Sequence, residues 1–256
     1  MQGAVDIELH DPGPVLQRIF PGLVVGAGDA GAGDEDVDAA MLRFQRVAGL
    51  LDGVRIGDVD TDADRAPQSW VRGVNRYLPD DIAVQWCRPV SEAFHARNEA
   101  RGRRYRYIVL ESQVRPALEA GLAGWVFRPL DAGAMRRAAA LLIGEHDFSA
   151  FRAAECQAAS PVKTLRSITI SRRGAYWRFD FDANAFLHHM VRNVMGCLVA
   201  VGSGRRDAQW LAAVLESRRR EAAAPTFAAA GLYFVGPYYD AHWAIPAQVP
   251  ASDWPP

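Results

Sequence analysis

The chain has 256 residues, half of them hydrophobic, which allows one large or two modest domains with substantial cores. No run approaches the roughly 18 apolar residues of a membrane helix, and the N-terminus carries no cluster of positive charge, so a cytoplasmic protein without a membrane partner is expected. The three cysteines are widely spaced and form no CxxC pair, which favours free thiols over a disulfide framework or a zinc site.

The formal net charge of −1 conceals an uneven distribution along the chain. Residues 1–64 hold 13 acidic and 4 basic side chains, whereas residues 65–256 hold 17 acidic and 25 basic ones. All but one of these 25 are arginine, whose planar guanidinium suits phosphate binding and base stacking. A nucleic-acid surface is therefore expected only in the last three quarters of the chain, although a preference for arginine can equally reflect gene composition.

The acidic N-terminal part contains one recognisable motif. Leu23–Gly31 is a short apolar run followed by GxGxxG, the outline of a dinucleotide fingerprint in which glycines let a pyrophosphate approach a helix N-terminus. The following Asp34–Asp38 would place four carboxylates beside that pyrophosphate, and no further βαβ unit follows. A nucleotide-binding oxidoreductase is therefore kept only as an alternative.

From residue 65 onward, helix and strand patterns alternate. The predicted elements are a helix at Ser69–Tyr77, strands at Ile82–Trp86 and Arg101–Leu110, a helix at Asp131–Ile143 capped by Asp131, strands at Leu165–Arg172 and Tyr176–Ala183, a helix at Trp210–Arg220 and a strand at Gly231–Val235. Two successive units of hairpin and helices predict an α/β (α+β) fold with two related domains, each a mainly antiparallel sheet covered by helices.

One strand interleaves arginine with tyrosine. In Arg101–Leu110, the side chains of Tyr105, Tyr107 and Val109 share one face, and arginines alternate with them on the other. Such a strand offers both phosphate contacts and a stacking ring. Half-buried packing is an equally good interpretation of Tyr107.

The stretch Asn184–Gly196 holds polar and ionisable side chains inside an apolar run of helical period. On a helix, a core-facing stripe would contain Phe186, Met190, Val194, Cys197, Leu198 and Val201, and the opposite side would contain His188, His189, Arg192 and Gly196. A surface helix would carry Glu and Lys on that side, so this pattern favours the close approach of an anion. Either histidine can equally be a satisfied core residue, but a guanidinium is rarely buried without a partner.

Six ordered motifs now resemble one family. They are Trp70-Val-Arg-Gly-Val-Asn75 with Leu78-Pro-Asp-Asp-Ile82, Phe94-His-Ala-Arg97, Arg103-Arg-Tyr-Arg-Tyr107, Gly144-Glu-His-Asp-Phe148, Asn184-Ala-Phe-Leu-His-His-Met-Val-Arg-Asn193 and Gly231-Leu-Tyr233. Together they are similar to the tRNA pseudouridine synthase A family over about residues 60–239. The resemblance divides the chain into an atypical segment 1–55, the rest of an N-terminal synthase domain at 56–112, a C-terminal synthase domain at 113–240 and a tail at 241–256.

The resemblance implies an activity and its partners. The family isomerises uridine to pseudouridine at positions 38 to 40 of the tRNA anticodon stem-loop, in a cleft between two domains, without metal or cofactor. The base is detached from its ribose, rotated and reattached through carbon, after the nucleotide has left the stack. The active enzyme is expected to be a homodimer that holds one tRNA with both subunits.

The resemblance also implies roles for individual residues. Tyr105 matches the tyrosine that lies against the flipped base, and Arg192 matches the arginine that pairs with the catalytic aspartate and keeps it ionised. The expected RNA-binding residues are His95, Arg97, Arg101, Arg103, Arg104, His188, His189 and Asn193. Their contribution would be independent of RNA sequence and sensitive to salt where it involves the backbone.

The family's nucleophile motif, Gly-Arg-Thr-Asp-x-Gly-Val-His, does not occur in this sequence. Counting back from Trp70 without gaps places its aspartate at Val47, whereas Asp52-Gly-Val-Arg55 is a reduced version of the motif. Asp52 is therefore the candidate nucleophile, although a solvated loop carboxylate is the simpler interpretation. Three hypotheses remain, of which the first is preferred: an altered reading frame in the first 55 residues, leaving this chain inactive; a non-catalytic tRNA-binding relative; or a relocated aspartate.

Overall fold

A computed structural model of the chain describes residues 23–27, 66–79, 82–91 and 93–246. In these residues the strands are β1 (Leu23–Ala27), β2 (Val84–Pro89), β3 (Ala100–Glu111), β4 (Gly124–Val126), β5 (Gly144–Asp147), β6 (Val162–Arg173), β7 (Tyr176–Ala183) and β8 (Leu232–Tyr239). The α-helices are α1 (Pro67–Asn75), α2 (Ala132–Ala140), α3 (Met190–Gly202) and α4 (Ala208–Ser217). The predicted class, a mixed fold with a mostly antiparallel sheet, is confirmed.

The described residues belong to two compact units. The first contains β1, α1 and β2 together with residues 239–246, and β1 pairs antiparallel with β2. The Asn75 amide fixes the end of α1 to β2, donating to the Val84 carbonyl at 2.8 Å and accepting from the Val84 N–H at 2.7 Å. In the same unit the Phe94 ring meets the rings of Tyr239 and Trp243 edge-on. The domain limits expected at residues 55, 112 and 240 stay predictions.

The second unit, within residues 101–238, is built on a six-stranded sheet. Its strand order is β4-β3-β7-β6-β5, and β8 also pairs with β3. All pairings along that order are antiparallel except β3 with β4, which is parallel. The predicted strand at Tyr176–Ala183 has the observed bounds of β7, and the other predicted strands begin or end up to four residues away.

The two faces of this sheet differ as strand alternation requires. Tyr105, Tyr107 and Val109 of β3 stand opposite Phe181, Phe179 and Trp177 of β7. These side chains join one large core cluster together with residues of α2, α3 and α4. The other face carries arginines matched by carboxylates, and Arg106 Nε donates to Asp180 Oδ1 at 2.8 Å across the two strands. The prediction that Arg104 and Arg106 lie on the face of β3 opposite Tyr105, Tyr107 and Val109 is confirmed.

Local chemistry places the helix starts. The Asp131 carboxylate accepts from the Ala134 N–H at 3.0 Å, and the Asp207 carboxylate accepts from the Trp210 N–H at 2.8 Å, so both act as N-caps. The predicted cap at Asp131 is confirmed, but α2 ends at Ala140 rather than Ile143. The chain turns at Gly144, which has a φ of 115°, and enters β5.

The amphipathic helix predicted around Asn184–Gly196 needs correction. Helix α3 begins only at Met190, so His188 and His189 precede it and do not lie on its polar side. Every residue of α3 is buried except Arg192, because the sheet and further segments of the chain cover the helix on several sides. Gly196 was expected on a face closely approached by an anion, and the group that lies against it is the Pro225 carbonyl of the chain itself.

Candidate active site

Tyr105 lies at the edge of the core of the second unit. Its ring is 5.1 Å from the Phe186 ring, edge-on, and 5.1 Å from the Phe234 ring, at a tilt of 50°. Tyr105 and Phe186 are half-buried, whereas Phe234 is 41% exposed. We call these three rings the aromatic cluster. Tyr105 and Phe186 are packed into the protein, and the cluster leaves an exposed apolar surface suited to stacking a nucleobase.

His188 and His189 form a stacked pair before α3. Their ring centroids are 4.1 Å apart at an interplanar angle of 29°. His189 occupies the helix N-cap with a φ of 59°, a left-handed conformation that is uncommon for a residue with a side chain. Such strained positions persist only where surrounding contacts hold them. Here the His188 carbonyl accepts from the Ala153 N–H at 3.1 Å, and the Asn193 N–H bonds to the His189 carbonyl at 2.9 Å.

Arg192 projects from the first turn of α3, and hydrogen bonds to Phe227 and His189 hold its guanidinium. Its Nε donates to the Phe227 carbonyl at 3.0 Å, and its Nη1 donates to His189 Nε2 at 3.3 Å. The Phe227 N–H in turn donates to the Arg192 carbonyl at 3.2 Å. Because a guanidinium is planar, these bonds fix the directions of its N–H groups, which is the property an anion partner requires.

Phe227 connects Arg192 to the tyrosine strand. Its ring lies 5.7 Å from the Tyr107 ring, and the Tyr107 hydroxyl donates to the carbonyl of Ala228. Tyr107 is two residues from Tyr105 on the same face of β3 and is completely buried. Tyr105 and Arg192 therefore belong to elements that pack against the same core, on the helical side of the sheet.

Asn193 lies inside the protein. It is 1% exposed, and its amide donates to the Phe151 carbonyl at 2.8 Å. The amide oxygen accepts from Arg220 Nη2 at 3.0 Å and from Thr226 Oγ1 at 2.7 Å. These bonds give Asn193 a structural role. Because the residue is buried, its side chain does not reach the surface where RNA was predicted to bind.

The arginines of β3 divide between the faces of the sheet. Arg103 shares the face of Tyr105, and its Nη1 donates to the Asn184 carbonyl at 3.2 Å, next to the loop that carries the histidine pair. Arg104 lies on the opposite face, with its guanidinium 5.7 Å from the centre of the Tyr238 ring. Arg101 is exposed at the start of the strand. Their contacts with RNA stay predictions, and Arg103 is the one placed beside Tyr105.

A thiol lies beside the histidine loop. Cys156 Sγ accepts from the His188 N–H at 3.4 Å. Burial raises the pKa of this thiol, but hydrogen bonds from the backbone N–H groups of Ala158 and His188 and the nearby Arg152 outweigh burial, so its pKa is lowered overall. This environment favours negative charge, in keeping with a basic surface around the loop.

The remaining predicted site residues lie elsewhere. His95 and Arg97 are exposed residues of the first unit, in the turn after β2, where His95 Nδ1 accepts from the Asn98 N–H at 3.3 Å. Asp52, the candidate nucleophile, lies outside the described residues. Among the residues that are described, no group of three or more His, Cys, Asp or Glu side chains could hold a metal ion. A reaction without metal or cofactor stays a prediction.

Sequence reasoning missed three residues of the site: Phe234, Phe227 and Arg220. Phe234 follows the Gly231-Leu-Tyr233 motif directly, so its proximity to that motif was an available signal. Arg220 was predicted as the last residue of a helix that in fact ends at Ser217, and Phe227 follows a stretch of Glu, Ala, Pro and Thr without a periodic pattern. Only the packing of that segment against α3 reveals their contacts.

Comparison with known proteins decides the family. A family model described as tRNA pseudouridine synthase matches residues 138–240. The chain is 71% identical over 198 residues to tRNA pseudouridine synthase A of Methylibium petroleiphilum, covering 77% of this chain and 76% of that protein. The chain belongs to the tRNA pseudouridine synthase family.

Two further relatives agree with this membership. Proteins with the same name from Paracidovorax citrulli and Albidiferax ferrireducens are 56% identical over 227 residues and 58% identical over 206 residues. These matches cover 82% of both chains in the first case, and 80% of this chain and 79% of its relative in the second. The predicted resemblance is confirmed, and membership of this family argues against the dinucleotide-binding alternative. In agreement, β1 of the glycine motif pairs antiparallel with β2, unlike neighbouring strands of a βαβ unit.

The comparisons thus support an isomerase that acts in tRNA processing. Across the described ranges, none of the helices has the length and apolar character needed to cross a membrane.

Proposed function

We propose that this chain isomerises uridine to pseudouridine at positions 38 to 40 of the tRNA anticodon stem-loop, without a metal or cofactor. Its similarity to tRNA pseudouridine synthase A along most of the chain carries this proposal. The site in the second unit supports it, because an aromatic cluster and an oriented guanidinium meet the needs of a flipped base and a nearby anion.

The reaction assigns a task to each part of the site. The bond from ribose C1′ to uracil N1 breaks, the base rotates and a bond forms from C1′ to C5. The C5 proton is then lost, and N1 ends with one proton, so the product is an isomer of the substrate. Tyr105 lies against the flipped base, and extrusion of the nucleotide costs a few kcal/mol before these contacts form. Arg192 pairs with the catalytic carboxylate and keeps it ionised. Asp52 is the candidate for that carboxylate.

Basic and polar side chains bind the tRNA around the reacting base. In the second unit these are Arg101, Arg103, Arg104, His188 and His189, and in the first unit they are His95 and Arg97. We further propose a homodimer in which both subunits hold one tRNA. Light scattering on the purified protein would give twice the mass of one chain; the mass of one chain, together with a complex of one chain per tRNA, would disprove the dimer.

The proposed reaction is tested by release of the C5 hydrogen. A tRNA transcript carrying tritium at C5 of uridine should lose the label to water when the full chain is added. Asp52→Asn should abolish this release, whereas Asp58→Asn, a nearby carboxylate with the same charge change, should leave it intact. Full activity of Asp52→Asn would show that another residue is the nucleophile.

One observation favours a second candidate function. The chain lacks the Gly-Arg-Thr-Asp motif in which the family places its nucleophile. A non-catalytic relative would bind tRNA in a salt-dependent manner but release no tritium. In that case Arg97→Ala and Tyr105→Ala would still weaken tRNA binding, and undiminished binding of both variants would argue against this candidate.

A further inference from the structure

Three polar side chains form a closed network beside Arg192. Arg220 Nη2 donates to Asn193 Oδ1 at 3.0 Å and to Thr226 Oγ1 at 2.9 Å. Thr226 Oγ1 donates to the same Asn193 oxygen at 2.7 Å. Asn193 is buried within α3, whereas Arg220 and Thr226 are half-buried and lie at the two ends of the segment that follows α4. We call this segment, residues 220–227, the α3 strap.

The strap is held along its length against α3. Arg220 Nη1 donates to the Ala224 carbonyl at 2.9 Å, and the Ala224 N–H donates to Cys197 Sγ at 3.3 Å. The Pro225 carbonyl rests directly on Gly196, where even a Cβ would lie 2.2 Å from its oxygen. The strap therefore has one well-defined position, set by Arg220, the absence of a side chain at Gly196 and the buried amide of Asn193.

The strap ends at the residue that orients Arg192. Phe227, next to Thr226, accepts from Arg192 Nε at 3.0 Å and donates its N–H to the Arg192 carbonyl at 3.2 Å. We propose that Arg220 and Thr226 are positioning residues, which act through Asn193 and the Phe227 carbonyl to fix the plane of the Arg192 guanidinium. This inference rests on the proposed function for the role of Arg192 in the reaction.

The neighbouring arginine provides a matched control. Arg219 has a side chain that is 75% exposed, and its Nε lies 3.7 Å from Glu221 in an exposed ion pair. Arg219→Gln and Arg220→Gln make the same change in charge one residue apart. Thr226 allows a second comparison, because Thr226→Val keeps the shape and loses both hydroxyl bonds, whereas Thr226→Ser keeps the hydroxyl.

The catalytic experiment compares kcat and KM for the tRNA substrate in these four variants of the full chain. Arg220→Gln and Thr226→Val should lower kcat roughly 10- to 100-fold, as displaced supporting groups commonly do, while KM changes by less than about threefold. Thr226→Ser and Arg219→Gln should keep kcat within about threefold of the unmodified protein. Melting curves identify any variant whose loss reflects unfolding.

A second experiment observes Arg192 directly and does not depend on activity. In a ¹⁵N-labelled sample, the Nε–H signal of Arg192 is assigned by its loss in Arg192→Lys. Its hydrogen exchange with water should be slow in the unmodified protein, Thr226→Ser and Arg219→Gln. Exchange should be faster by about tenfold or more in Arg220→Gln and Thr226→Val, because the Phe227 carbonyl is no longer held in place.

The two experiments separate the possible failures. If exchange responds as expected but the unmodified protein releases no tritium, the positioning network stands and the proposed function fails. If tritium is released but Arg220→Gln and Thr226→Val leave the exchange of Arg192 unchanged, the positioning inference fails and the proposed function stands. Loss of kcat in Arg219→Gln equal to that in Arg220→Gln would also overturn the inference.

Discussion

Single residues determine which surfaces of this site are available to a nucleobase. Tyr105 packs one part of its ring against Phe186 and Phe234, and half-burial restricts its motion. Stacking of a base on an aromatic ring contributes about 1–3 kcal/mol. A half-buried, prepositioned Tyr105 ring that stacks on the base would therefore offset much of the energy that base extrusion costs.

We expect Tyr105→Leu to lower kcat/KM for tRNA roughly 5- to 150-fold, because it removes the stacking face while keeping a large apolar side chain in the core. Tyr105→Phe is the matched control, since it keeps the ring and its contacts. Rates of tritium release at low tRNA concentration measure both effects. An equal loss in the two variants would show that the hydroxyl, and not the ring face, carries the contribution of Tyr105.

Among the helices, α3 packs directly against the α3 strap at Gly196, where any side chain would collide with the Pro225 carbonyl. Gly196 lies in the middle of this buried helix, and the Pro225 carbonyl occupies the space of its missing side chain. Gly73 in α1 offers a contrast, because nothing lies within 4 Å of the position where its Cβ would stand. Both glycines lower helix propensity by up to about 1 kcal/mol relative to alanine.

We expect the two glycines to respond to alanine with opposite sign. Gly73→Ala should leave the free energy of unfolding unchanged or raise it by up to about 1 kcal/mol, because only the helix propensity changes. Gly196→Ala should lower the free energy of unfolding by about 1–2 kcal/mol. The methyl group must displace the α3 strap, and this cost exceeds the gain in helix propensity from alanine. Denaturant unfolding curves measure both. A stabilised Gly196→Ala protein would mean that the strap moves aside without cost.

For the whole molecule, the uneven charge distribution is expected to set the salt dependence of its affinity for RNA. The acidic residues concentrate in residues 1–64, whereas arginine dominates the remainder. Each phosphate contact releases counterions from the RNA, so affinity falls as salt rises. Binding through many arginines is therefore expected to depend steeply on salt concentration, despite a net charge of −1.

We expect Arg97→Ala to weaken tRNA binding several-fold and to reduce the slope of log affinity against log salt by about 1, as loss of one phosphate contact predicts. Binding measured between low and moderate salt gives the slope. Arg219→Ala removes the same charge at a position without a predicted RNA contact and serves as comparison. Identical slopes for Arg97→Ala and the unmodified protein would exclude a phosphate contact at Arg97.

Features that depend on neighbouring residues could be predicted from the amino-acid pattern alone. The alternation of β3, the bounds of β7 and the cap at Asp131 all follow from backbone periodicity or from hydrogen bonds over three residues. The positions of Tyr105 and Arg192 came from ordered motifs, which also indicated the family. The strand alternation and the helix cap each depend on a few consecutive residues, whereas the family depends on six short motifs taken together.

The contacts between these elements could not be predicted, because they form between residues far apart in the chain. The helix predicted as amphipathic is buried on nearly every side, and Asn193, expected to bind RNA, instead joins Arg220 and Thr226 at sequence separations of 27 and 33 residues. Arg192 is oriented by a carbonyl 35 residues away. Buried polar groups must form hydrogen bonds, and their partners are whichever groups the fold brings near them. Local sequence patterns do not show which distant residue that will be.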